Sequence, residues 1–337
     1  MDKTIRFGMI GAGSVTEIKS APALQKVPGS ALVRVMRRDP EKLADYARRH
    51  GVPAWSTNAM DILGDPGIDA VYIATPPESH AHYAILAAQH GKAVYVEKPM
   101  ARTAQEARAM VDACQKAGVP LFVAYYRRAQ PRFLKARELI ETGALGEVRS
   151  FQYHYACPVP GKDPSRPWLL TREGAGGGLL YDIGSHMVDS IIFLLGQPVE
   201  AVGRSANLSG ARQTDDLAVA FLRFESGVMG TLQFSFNAAG LTDRLWISGS
   251  RGSLSFSIMG YEPLVFAHDG ITEELDLGKP EHVQQPLITR VVNTLRGLDH
   301  LDSSGLSALQ TQEILEAIDR SACWTPRGGL CAEGRQI

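Results

Sequence analysis

Apolar positions are grouped differently in the two halves of the chain. In the first half, short and nearly continuous apolar runs recur at Ile5–Ile10, Ala31–Met36, Asp69–Ala74, Val94–Val96 and Leu121–Ala124. Runs of this length without alternation fit strands buried on both faces of a parallel sheet. Helix-compatible segments lie between them: one reaching about Gln25, Pro40–Arg49, a helix capped by Ser79 that runs to Gln89, and Thr103–Lys116, with a further short segment at 58–63. The second half opens on a linking helix, Pro131–Gly143, and an alternating strand from Gly146 through Tyr155. From Val199 onward strands dominate: Asp216–Phe224 turns at Gly227 into Val228–Phe236, and Leu245–Ser248 with Ser253–Ile258 reads as a second hairpin. Met187–Leu195 and Leu306–Ser321 supply helices to cover one sheet face.

Composition narrows the setting. With 337 residues, 45% hydrophobic and 21% charged, the chain has material for two domains with cores. A net charge of −1 removes the electrostatic footprint of a nucleic-acid or acidic-membrane binder. The expectation is that no apolar run approaches the ~18–20 residues of a membrane span. The N-terminus leads straight into a glycine loop with no secretory pattern. Cys114, Cys157, Cys323 and Cys331 lack metal-ligand spacing and read as reduced thiols of a cytoplasmic protein. No metal site is expected.

The candidate chemistry gathers where the first-half strands end. Ile5–Ile10 runs into Gly11-Ala12-Gly13-Ser14-Val15-Thr16. A first glycine permits a tight turn, and a second lets a pyrophosphate reach the backbone at a helix start, so this is a dinucleotide fingerprint with Thr16 where glycine or alanine is usual. The next strand ends in Arg37-Arg38, where an NAD reader carries Asp or Glu for the ribose. Two guanidiniums suit a 2′-phosphate instead, which points to NADP(H) over NAD(H), unless Asp39 turns inward. Thr75-Pro76-Pro77 makes a stiff corner able to lie along a dinucleotide, with His80 a helix-start residue near the cofactor. Val94–Val96 stops at Glu97-Lys98-Pro99, which puts Lys98 at the carboxyl end of a parallel strand, where open α/β sheets bind ligands.

Downstream, Gly176-Gly177-Gly178 precedes a helix that carries Asp182 and His186 four residues apart on one face. That spacing lets a carboxylate and an imidazole converge on one small substrate, and it equally suits a surface pair. The loop Cys157–Arg172, with Pro158, Pro160, Pro164, Pro167 and Trp168, is either a substrate lid or a surface insertion.

Gly11-Ala12-Gly13, then Ala74-Thr75-Pro76-Pro77 with His80, then Glu97-Lys98-Pro99, have the order and spacing of the glucose–fructose oxidoreductase/inositol dehydrogenase (Gfo/Idh/MocA) family. Tyr126-Arg127-Arg128 with Pro131 resembles that family's Asn-x-Arg-x-x-Pro stretch, with Tyr for Asn, and Gly177 to His186 is similar to its Gly-Gly-x-x-x-Asp-x-Gly-x-His signature. The resemblance implies an α/β fold: an N-terminal Rossmann domain (1–124) and a C-terminal α+β domain (125–337) on an open, mostly antiparallel sheet. It implies catalytic roles for Lys98, Asp182 and His186, with the Lys98–Pro99 bond often cis. Gly11, Gly13, Ser14, Val15, Arg37, Arg38, Thr75, Pro76, His80, Glu97 and Lys98 would bind cofactor. Tyr126, Arg127, Tyr155 and Trp168 are the substrate candidates.

The expected reaction is hydride transfer between NADP(H) and a hydroxyl or carbonyl of a sugar, polyol or cyclic diol. The expected assembly is a homo-oligomer, dimer or tetramer, built through the second sheet. A catalytically silent cofactor sensor and an NAD-dependent glycosidase are the alternatives.

Overall fold

Six parallel strands carry the first half: β1 (Ile5–Ile10), β2 (Ser30–Met36), β3 (Ala54–Ser56), β4 (Ala70–Ile73), β5 (Ala93–Val96) and β6 (Leu121–Val123), in spatial order β3-β2-β1-β4-β5-β6. The computed structural model describes residues 3–159, 161, 166–301, 303–326 and 329–331, with Leu170 and 329–331 described by backbone alone. β3 is one strand more than the apolar runs predict. It is a three-residue edge strand whose Trp55 is exposed, so it leaves no buried run to read.

Both faces of this sheet are covered, which is why its strands lack alternation. Along β4 and β5, Ala70, Tyr72, Ala93 and Tyr95 enter one core, and Val71, Ile73, Val94 and Val96 enter the other. Ala84, Ala87 and Ala88 from the helix His80–Gln89 and Met110 and Val111 from Ala104–Ala117 fill the second core. The first core is completed from far along the chain by Leu287, Ile288, Val291 and Val292 of the helix Gln285–Leu295. The compact units accordingly comprise residues 1–130 with 280–309, and 131–279 with 310–337. This differs from the expected division at 124/125: the chain crosses at 130/131 and returns, because one sheet face needs a helix encoded late in the sequence.

The segment expected as one helix to about Gln25 is two, Ser14–Ile18 and Ala21–Lys26, divided where Pro22 fits only a first helical turn. Ser79 does not cap the helix after it. Its Oγ donates to Thr75 Oγ1 at 2.7 Å, and a 3₁₀ turn, Pro77–Ser79, leads into the helix.

The second unit holds a ten-stranded sheet: β7 (Val148–Ala156), β8 (Pro198–Ala206), β9 (Leu217–Phe224), β10 (Met229–Ser235), β11 (Thr242–Gly249), β12 (Gly252–Phe256), β13 (Leu264–His268), β14 (Ile271–Leu275), β15 (Cys323–Thr325) and β16 (Gly329–Cys331). Their order is β14-β13-β12-β11-β7-β10-β9-β8-β15-β16, antiparallel except where β10 runs parallel to β7. Phe151, Tyr153, Leu222, Leu232, Phe234, Leu245 and Ile247 form the inner face against Met187, Val188 and Ile191 of the helix Ser185–Leu195 and Ile314, Leu315 and Ile318 of Gly305–Asp319. The outer face exposes Val219, Met229 and Trp246.

Contrary to the expectation from the sequence, one helical stretch, Arg172–Leu195, is long and apolar enough to cross a membrane by length and composition. Its apolar window is 89% buried inside the protein, as in a core helix.

Candidate active site

The glycine loop is built by close backbone approach. Gly11 has φ +104, and a Cβ there would stand 2.6 Å from the Ala74 carbonyl carbon and 2.7 Å from Thr75 N, so only glycine lets β1 and β4 end side by side. Gly13 differs. A Cβ on it would meet nothing nearer than Gly11 O at 4.0 Å, so protein packing does not require a glycine there. The space it leaves, at the start of the helix Ser14–Ile18, suits the phosphate group of a dinucleotide. Ser14, exposed, and Val15, half-buried, open the helix that follows.

Thr16, the departure from the usual pattern, is fully buried and satisfied. Its Oγ1 donates to Gly13 O at 2.8 Å and accepts from the buried Tyr46 hydroxyl at 2.8 Å. Burial pushes the Tyr46 phenol up to about 12, so it stays a donor. Thr16→Ala should therefore cost roughly 1–3 kcal/mol by orphaning that hydroxyl, with Thr16→Ser recovering most of it in urea unfolding. An unchanged midpoint for Thr16→Ala would refute the account.

The same short helix is tied outward by Glu17, which accepts from Arg49 Nη1 at 2.7 Å, Arg49 Nη2 at 2.8 Å and His50 Nε2 at 2.8 Å. The Arg49 hydrogen bonds, ahead of His50, draw its carboxyl down to about 2 from a usual 4.5. A depressed carboxylate stabilises the fold fully above the unfolded value, and the contribution is lost as pH falls from about 4.5 through about 2. Acid titration of Glu17→Gln against the parent should show a stability gap at neutral pH that closes over that window. A gap of constant size would contradict it.

Arg37 follows β2 directly. Its Nη1 donates to Ala12 O at 3.0 Å, which holds the guanidinium over the glycine loop, and Arg38 beside it is exposed. Asp39 does not turn inward: its Oδ1 accepts from Lys42 N at 3.1 Å as the cap of Pro40–Arg49.

Two further loops join this edge of the sheet. His80 is fully buried, with Nε2 2.8 Å from Thr75 O and Nδ1 3.0 Å from Pro99 O. It thus fastens the Thr75-Pro76-Pro77 corner to the Glu97-Lys98-Pro99 loop, and burial lowers its basicity. The Lys98–Pro99 peptide is cis, as the resemblance implied.

The Glu97 carboxylate turns into the core. Oε1 accepts from the Tyr72 hydroxyl at 2.6 Å and Gln284 Nε2 at 2.6 Å, while Oε2 accepts from Lys98 N at 3.2 Å. Tyr95 donates to Gln284 Oε1 at 3.1 Å. Burial first, and the Glu97 charge second, hold both phenols well above their ordinary range. Glu97 was expected among the cofactor ligands. Its side chain is spent on bracing the loop, which leaves only its backbone for that contact. Lys98 itself is partly buried, two residues past the end of β5.

Tyr126 and Arg127 lie in a 3₁₀ turn, Tyr126–Ala129, both buried, with the Arg127 guanidinium 5.0 Å from the Tyr126 ring centre.

In the second unit, Gly178 is required by its φ of +64 and by Thr214, whose Oγ1 would stand 2.1 Å from a Cβ. The helix after it is not uniformly α. Leu180–Gly184 is a π turn that carries Asp182, and α-helix resumes at Ser185–Leu195 with His186 in its first turn. The two side chains are therefore placed by a local widening, a device common at functional sites, rather than by the expected regular i, i+4 face. Both are buried. Asp182 Oδ2 accepts from Arg166 Nη2, and the Arg166 guanidinium lies 5.1 Å from the Trp168 ring centre.

Sequence reasoning missed Arg166. Its only signal was a basic residue beside Pro167-Trp168 in an irregular loop. Within that loop Pro160 and Pro164 lie outside the described residues, and Pro167–Leu170 is a 3₁₀ turn. Tyr155, a substrate candidate, is buried and hydrogen-bonded to the Cys157 sulfur.

Comparison with known proteins extends these observations. The model of an oxidoreductase family with an NAD-binding Rossmann fold matches residues 5–125, and that of the GFO/IDH/MocA C-terminal domain matches 133–255. Oxidoreductase P35 of Formosa agariphila is 38% identical over 295 residues, 87% of this chain and 91% of that one. Levoglucosan dehydrogenase of Pseudarthrobacter phenanthrenivorans is 32% identical over 289 residues, 76% of this chain and 74% of that one. A solved levoglucosan dehydrogenase, in complex with NADH and levoglucosan, shares the fold with a TM-score of 0.86 over 96% of this chain and 99% of that one, at 24% identity. The first unit is a Rossmann fold of the nicotinamide-dinucleotide-binding kind.

Proposed function

We propose, from the premise that this chain belongs to the Gfo/Idh/MocA oxidoreductase family, that it catalyses reversible hydride transfer between NADP(H) and a hydroxyl or carbonyl of a sugar, polyol or cyclic diol. The observation that carries the reading is the seating of Lys98. It lies two residues past the end of β5, its backbone is held by Glu97, and its loop is fastened by His80 to the corner that flanks the glycine loop.

The dinucleotide supplies the hydride acceptor or donor at its nicotinamide ring. In the oxidative direction the chain's own groups manage the oxygen. The His186 imidazole takes the hydroxyl proton as the C–H electron pair leaves and the C=O bond forms. Lys98 Nζ steadies the developing alkoxide, and Asp182 orients the neighbouring hydroxyls. In reduction the same proton returns from His186.

The preference for NADP(H) rests on Arg37 over the glycine loop and on Asp39 being engaged as a helix cap. We place the protein in the cytoplasm and propose self-association through the outer face of the second sheet, where Val219, Met229 and Trp246 are exposed. Sugars, inositols and vicinal diols, each offered with NAD and with NADP while reduced-nicotinamide absorbance is followed, test the reading. Turnover of at least one such substrate is expected. Cofactor binding with no turnover across the whole panel would sink it in favour of a cofactor sensor.

A further inference from the structure

We propose that Arg166 is a specificity-determining residue which, jointly with Asp182, selects a neutral vicinal diol over an acidic sugar; this rests on the reading of Asp182 as a substrate-facing group. The two residues come from different segments of the second unit, 16 positions apart. Asp182 is placed by the π turn and its side chain is 11% exposed, while that of Arg166 is 31% exposed.

Among the described residues, two contacts fix the Arg166 guanidinium. Its Nη2 donates to Asp182 Oδ2 at one edge, and the Trp168 ring lies against it with 5.1 Å between centres. Trp168 is in turn held from behind, since its backbone and Cβ stand so near Gly174 that a Cβ there would approach Trp168 O to 2.6 Å. The arm is therefore packed into the unit.

A guanidinium has five N–H donors in a planar fork, more than one carboxylate oxygen engages. The pair thus offers an acceptor and donors side by side. Adjacent hydroxyls are its complement, one donating to the Asp182 carboxylate and the other accepting from Arg166. A substrate carboxylate docked on Arg166 would stand beside the Asp182 carboxylate, and that like-charge approach acts against acidic sugars.

The test compares wild type, Arg166→Ala and Arg166→Lys on a neutral diol substrate and on the corresponding uronate. Arg166→Ala should raise KM for the neutral diol by roughly tenfold to a hundredfold with much less change in kcat. It should also move the acidic limb of kcat/KM, set by the His186 proton acceptor, to higher pH, because the Asp182 carboxylate four residues away is no longer offset by a cation, a shift that a purely structural defect would not produce. Arg166→Lys should restore the pH limb more than KM, since it returns the charge without the planar fork. Calorimetric titration of the neutral diol into NADP-loaded protein reads the same preference without turnover.

Equal KM, equal affinity and an unmoved pH limb in Arg166→Ala would overturn the inference, as would wild-type preference for the uronate. If wild type turns over nothing yet binds the diol through Arg166, the proposed reaction fails and the inference stands.

Discussion

Replacing Lys98 by methionine should lower kcat by roughly 10²–10⁴-fold, a far larger effect than any weakening of NADPH binding from the lost ammonium group. Methionine keeps a flexible stem of similar reach and removes the ammonium group. The loop around position 98 is held by contacts the substitution does not touch: Glu97 to Tyr72 and Gln284, and His80 to Pro99. The loss therefore falls on the developing alkoxide rather than on the fold. Lys98→Arg should stay well below wild type, because a wide planar fork does not replace a compact point charge at one oxygen. His186→Asn should show a loss of similar size through the missing proton acceptor. NADPH fluorescence on binding and steady-state turnover separate the two effects, and near-wild-type kcat in both Lys98→Met and His186→Asn would end the mechanism.

The second large effect concerns the cofactor. Arg37→Asp combined with Arg38→Ala should lower the NADP/NAD ratio of kcat/KM by roughly 10²–10³-fold, as two charge-assisted contacts to a 2′-phosphate are replaced by a carboxylate that repels it. Arg37 is the dominant member, since its Nη1 on Ala12 O sets its direction while Arg38 is exposed. Asp39→Asn should leave the ratio unchanged and affect only the start of Pro40–Arg49, whose Lys42 N it caps. A wild type that favours NAD, or a double variant with an unaltered ratio, would reverse the cofactor assignment.

Much of the first unit was legible because its signals are local. Strands buried on both faces must be continuously apolar, so Ile5–Ile10, Ala70–Ile73 and Ala93–Val96 announce themselves. The edge strand Ala54–Ser56 does not, since exposure releases its composition. The antiparallel hairpins β9–β10 and β11–β12 were readable from alternation around Gly227 and Gly249–Gly252. β13 and β14 were not, as β14 is mostly exposed and polar.

At the site, glycine positions and the Lys98 strand end followed from residue type alone. The function of Thr16 did not, because it depends on Tyr46, 30 residues away. Spacing suggested a regular helical face for Asp182 and His186. The π turn that actually holds Asp182 leaves no mark in the hydrophobic pattern.

By itself the sequence determined where the backbone must turn tightly, which strand ends carry chemistry, and which residue types stand there. Periodicity, glycine and proline act within a few bonds of one another. Tertiary structure alone decided what those residues rest on. Gln284 reaches Glu97 across 187 positions, the helix Gln285–Leu295 closes a sheet face laid down by the first half, and Arg166 is laid over Trp168 and onto Asp182. Burial of two apolar sheet faces and of a carboxylate demands partners, and partners so distant along the chain are chosen only when it folds.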